Sequence, residues 1–72
     1  MSQTSAQDAF RAAEQELADA QGEGDAVRLA SAQARWADAA ELWAEDLERG
    51  GRPVPEDLRG RVAAYREQTA AG

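Results

Sequence analysis

The sequence predicts an all-α chain: three helices, about 5–21, 26–49 and 55–70, forming an antiparallel helical hairpin with a third packed helix. Three observations carry this. Eighteen of the 72 residues are alanine, the strongest helix former. Apolar residues recur at spacings of three and four, the period of a helix face. Gly22, Gly24, Gly50, Gly51, Pro53 and Pro55 cluster in two short breaks, where they end helices or start them.

Thr4 and Ser5 are both good N-caps, each with a polar residue three positions on, so the first helix begins there. Ala6, Phe10, Ala13, Leu17 and Ala20 form its stripe. Gly22 is expected to end it in the left-handed conformation that glycine adopts without strain. The short link that follows requires the second helix to return antiparallel.

Asp25 caps that second helix, and no glycine or proline interrupts it up to Arg49, about 24 residues or roughly 36 Å. Its stripe runs through Leu29, Ala32, Trp36, Ala39 or Ala40, Trp43 and Leu47, with the two tryptophans one heptad apart. A second flank of Ala30, Ala34, Ala37 and Ala44 permits close approach by another helix. Leu42 lies off the stripe, which marks it for exposure or for contact with a partner.

Gly50-Gly51 ends the second helix, and residues 50–54 form a connector made extended by its prolines. Pro55 suits a first helical position, and Glu56 and Asp57 suit the positive end of the helix dipole. Leu58, Val62, Tyr65 and Thr69 make a narrow stripe. Gly60 implies either a weak helix end or a close approach by another backbone. Residues 1–4 and 70–72 are expected to fray, leaving 1–72 as one domain.

Composition narrows the chemistry. The chain has no cysteine and no histidine, so disulfides and the usual zinc and iron sites are closed. The segment Asp19 to Asp25 resembles the opening of an EF-hand loop, but Val27 and Ala30 stand where its ninth and twelfth ligands belong. With no lysine either, and no serine beside a visible base, no catalysis and no cofactor or small-molecule ligand are expected. No apolar run is long enough for a membrane span, and the N-terminal residues lack signal-peptide features, so a soluble, cytoplasmic protein is expected.

Charge is uneven. The formal net charge is −6. Asp38, Glu41, Glu45 and Glu48 line one side of the second helix, an acidic face expected to be solvated. Arg49, Arg52, Arg59, Arg61 and Arg66 make a mildly basic tail. Helical spacing suggests the exposed pairs Glu45 with Arg49 and Asp57 with Arg61.

The run Arg35 to Leu47 resembles the second helix of a tetratricopeptide repeat: aromatic, alanine three on, aromatic seven on, leucine eleven on. The turn that precedes such a helix is absent, and a single repeat could not bury its own face, so the family is not assigned.

A core this thin needs a supplement, and with disulfides and metals closed that is self-association or a partner. Two readings of the tryptophans stay open. They fill the chain's own core, or Trp36 and Trp43, with Leu42 and Leu47, form an interface with a partner or a second copy. The leading functional expectation is a small acidic helical protein-interaction module: an adaptor, accessory subunit or antitoxin-like regulator working through a helix face. One alternative is an acidic inhibitor that mimics nucleic-acid phosphates. The weakest is direct nucleic-acid binding through the arginine tail.

Overall fold

The computed structural model describes residues 5–71 and contains three helices in the expected order. The cap expected at Thr4 and the fraying expected at residues 1–4 and at Gly72 lie outside the described residues.

Helix α1 spans Ala6–Glu23. Ser5 caps it in an extended conformation, its Oγ accepting from the Asp8 amide at 3.1 Å. The helix does not stop at Gly22, as the sequence suggested, but at Gly24, whose φ is +73°. Both glycines could take the left-handed conformation. Gly22 instead stays helical, at a cost of about 1 kcal/mol relative to alanine, and the turn falls next to Asp25. Helix α2 spans Ala26–Arg49, and the Asp25 carboxylate accepts from the amides of Val27 and Arg28 at 3.0 and 3.3 Å. Its end is a Schellman motif. The Arg52 amide donates to the Leu47 carbonyl at 2.8 Å and the Gly51 amide to that of Glu48 at 3.0 Å, with Gly51 left-handed at φ +71°. Helix α3 spans Glu56–Ala71, shifted by one residue from expectation. Gly60 faces open space with no neighbour within 4 Å, so no backbone approaches it.

The described chain measures 37 × 29 × 15 Å. Its short axis is little more than one helix diameter. Both α1 and α3 pack on α2, and they do not pack on each other.

Phe10, Ala13, Leu17 and Ala20 of α1 bury against Ala32, Trp36 and Ala39 of α2, while Leu58 and Val62 bury on the other flank near Ala40 and Ala44. Trp36 sits where the two junctions meet and is 0 % exposed. The Phe10 ring lies 5.2 Å from it on one side, and the Tyr65 ring meets it edge-on at 5.1 Å and 82°. The Arg61 guanidinium covers the same indole, its Cζ 4.5 Å from the ring centre. Trp43 is half-buried and stacks on Phe10 at 4.8 Å. Neither indole Nε1 finds an acceptor although both are buried, a desolvation cost set against the area the rings remove from water.

Of the two readings of the tryptophans, Trp36 follows the first: it is core and offers no surface to a second copy. Leu47 is buried as well. A dimer is not needed to cover either side chain.

Candidate protein-interaction face

The flanks of α2 carry opposite charges. Toward α1 it extends Arg28, 3.3 Å from Glu23, and Arg35, paired with Glu16. Toward α3 it extends carboxylates. Arg66 donates through Nε to Glu41 at 2.8 Å and through Nη2 to Asp38 at 3.0 Å, and Arg59 donates to Glu48 at 2.7 Å. Arg66 is a base already charged at any ordinary pH, and its hydrogen bonds to Glu41 and then Asp38 push its pKa further up.

These pairs replace the in-helix pairs that spacing suggested. Glu45–Arg49 and Asp57–Arg61 are not among the ion pairs of the described residues. Arg61 instead lies over Trp36 and donates to the Tyr65 hydroxyl at 3.0 Å. The reason is geometric. A guanidinium on α3 reaches a carboxylate across the junction without bending back along its own helix, and a flat cation on an indole face gains contact area as well as charge.

The acidic face expected from the sequence is thus divided. Asp38, Glu41 and Glu48 answer to α3, whereas Glu45 remains exposed with no partner among the described residues. On the outward side of α2, Leu42 is 58 % exposed. Its helical neighbours at i−4, i+3 and i+4 are Asp38, Glu45 and Asp46, all exposed. One leucine therefore stands among three carboxylates, of which Asp38 is paired with Arg66 and Glu45 and Asp46 have no ion-pair partner among the described residues. Asp46 was not singled out by sequence reasoning, although its place four residues beyond Leu42 was a sufficient signal. Arg49 and Arg52 are exposed at the connector, away from this cluster in sequence and without ion-pair partners among the described residues.

Between α2 and α3 runs an open groove of about 470 Å³. Alanines 40, 44 and 63 with Leu58 and Val62 line its floor, and Glu41, Glu45, Glu48, Arg59 and Arg66 its rim. A smaller hollow of about 300 Å³ lies between α1 and α2, beside Arg28, Ser31 and Arg35. Among the described residues, no three carboxylates converge as a metal site, and no helix is long and apolar enough to cross a membrane.

No protein-family model matches this chain, and comparison with curated proteins and with solved structures likewise returns no match. The tetratricopeptide likeness is a shared amphipathic pattern: α2 runs unbroken through residues 33–35, where that motif has its turn.

Proposed function

We propose that this chain is a small acidic interaction module that docks a protein partner through the outward face of α2, in the manner of an adaptor, accessory subunit or antitoxin-like regulator. One observation carries the reading: Leu42 stands 58 % exposed amid carboxylates, on a helix whose stripe residues are buried or half-buried. Such a face fits an apolar pocket rimmed by arginine or lysine. The surrounding charges would speed encounter and exclude acidic surfaces, while Leu42 would supply the contact that excludes water. No enzymatic step and no cofactor belong to this proposal.

The two alternatives find less support. Mimicry of a phosphate backbone draws on a run of free carboxylates, and Asp38, Glu41 and Glu48 are already answered by guanidinium groups. Nucleic-acid binding by the tail draws on free arginines, and of its five Arg59, Arg61 and Arg66 are engaged within the chain, leaving Arg49 and Arg52.

The test is affinity capture from a lysate of the source organism, comparing the native chain with Leu42→Glu. Leu42 packs little, so the substitution should leave helicity and melting temperature nearly unchanged. A defined basic partner held by the native chain and lost from the variant supports the reading. Equal capture by the native chain, Leu42→Glu and Glu45→Gln/Asp46→Asn refutes it.

A further inference from the structure

Helix α3, like α1, approaches the backbone of α2 alone. Its backbone contacts are to α2 and not to α1, so the packing and the ion pairs that α3 makes on α2 could be remade on the α2 of another molecule. The ionic register is also regular. Arg59 faces Glu48 and Arg66 faces Glu41, seven residues apart on both antiparallel helices, with Asp38 as a second acceptor for Arg66. Opposite charge marks the other flank, where α2 presents Arg28 and Arg35, so an arginine-bearing helix is directed to one side only.

The connector is suited to opening. Gly51 turns the chain at φ +71°, and a glycine can pass from there to an extended conformation without a Cβ penalty. Pro53 and Pro55 keep the rest extended, and of residues 50–55 only Val54 is even half-buried. Exchange of an identical element through a hinge of this kind is an economical route to a dimer, since it creates few contacts that the monomer lacks.

We propose that α3 is an exchangeable helix: the acidic flank of α2 accepts the α3 of a second copy, forming a two-fold dimer in which Arg59 and Arg66 of each chain clasp Glu48, Glu41 and Asp38 of the other. The short connector gives the intramolecular arrangement an effective concentration in the millimolar range, so the closed monomer dominates in dilute solution and the exchanged dimer grows with concentration. This inference does not depend on the docking role of Leu42. The exchanged pair would carry two such faces.

The test uses two full-length variants, Arg66→Glu and Asp38→Arg/Glu41→Arg. Each alone sets like charges against each other at its own α2–α3 junction. Mixed in equal amounts, they can exchange α3, and both junctions then have opposite charges face to face. Native mass spectrometry and light scattering should find a 1:1 heterodimer at twice the 7.7 kDa chain mass in the mixture and in neither variant alone. Circular dichroism should show any helix lost by the separate variants regained on mixing. A mixture that remains monomeric, folded or unfolded, overturns the proposal. So does a native chain whose mass stays at one copy from micromolar to millimolar concentration.

Discussion

Against α1, helix α2 buries Phe10, Leu17 and two alanines that fit between them. Against α3 it buries Leu58 and Val62, with Tyr65 half-buried on Trp36, and adds an exposed row of guanidinium–carboxylate pairs. The first junction draws mainly on apolar area removed from water, which salt does not weaken, and adds two exposed pairs, Arg28–Glu23 and Arg35–Glu16, which salt does weaken. The second draws more on charge pairs in high dielectric, each of small net worth and screened by salt. The contrast shows how one helix specifies two neighbours of different kinds. Arginines on one flank and carboxylates on the other direct the glutamates of α1 and the arginines Arg59 and Arg66 of α3 to different sides, while the shared apolar stripe supplies most of the cohesion.

Trp36 belongs to both junctions, which makes its removal the most damaging test. Trp36→Ala takes away the contact with Phe10 on one side and with Tyr65 and Arg61 on the other. The expected loss is about 3 to 5 kcal/mol by urea denaturation, with both junctions loosened together. A loss confined to α3 would place the ring on one side only and break the comparison at its centre.

Leu17 and Leu58 separate the junctions. Both are buried, at 4 % and 6 % exposure, so the side chains removed are alike. Leu17→Ala should cost about 2 to 5 kcal/mol and lower the unfolding midpoint of the whole chain. Leu58→Ala should lie near the low end of that range, about 2 kcal/mol, and should act locally. Hydrogen exchange should then show residues 56–71 losing protection while 6–49 keep theirs. Equal, chain-wide effects of the two substitutions would erase the distinction.

Two exposed glycines give the next smaller effect. Gly22 lies inside α1 and Gly60 inside α3, and neither has a positive φ. A methyl group added at either position would meet nothing within 4 Å. Replacement by alanine should stabilise each helix by about 0.5 to 1 kcal/mol. Gly60→Ala should raise amide protection in α3 and Gly22→Ala that in α1, read by hydrogen exchange. Gly24→Ala should act in the opposite direction, since φ +73° strains any residue with a side chain.

Much of this was legible in the sequence. Unbroken helix formers between Asp25 and Gly50 delimit α2, and the three-and-four spacing identifies Phe10, Ala13, Leu17 and Ala20 as the buried side of α1. Leu42 lies off the stripe, and it is exposed for that reason. What could not be read was the register between helices. Spacing along one helix identifies neighbours on that helix, so it offered Asp57 for Arg61, whereas the indole that Arg61 covers belongs to another helix, across a connector. The choice between Gly22 and Gly24 was closed for a similar reason. Both residues permit the turn, and where it falls depends on where α2 must begin to meet α1.

Salt should have the smallest effect on global stability, and it distinguishes the junctions most cleanly. At about 1 M ionic strength the Debye length falls to roughly 3 Å, so the exposed pairs of Arg59 and Arg66, and those of Arg28 and Arg35 at the α1 junction, are weakened while apolar contacts are not. Amide protection in α3 should drop relative to α1, with little change in the melting temperature of the α1–α2 hairpin. Arg66→Gln at low salt should reproduce the local loss, and adding salt to that variant should then do less than it does to the native chain. Arg66 gives no pH handle on the same junction. Folding raises its pKa, so its contribution is complete below the unfolded value and is lost only as pH rises through the folded one, both far above neutrality. If salt loosened α1 and α3 equally, the exposed pairs of Arg28 and Arg35 would count for as much as those of Arg59 and Arg66, and the two junctions would not differ in kind.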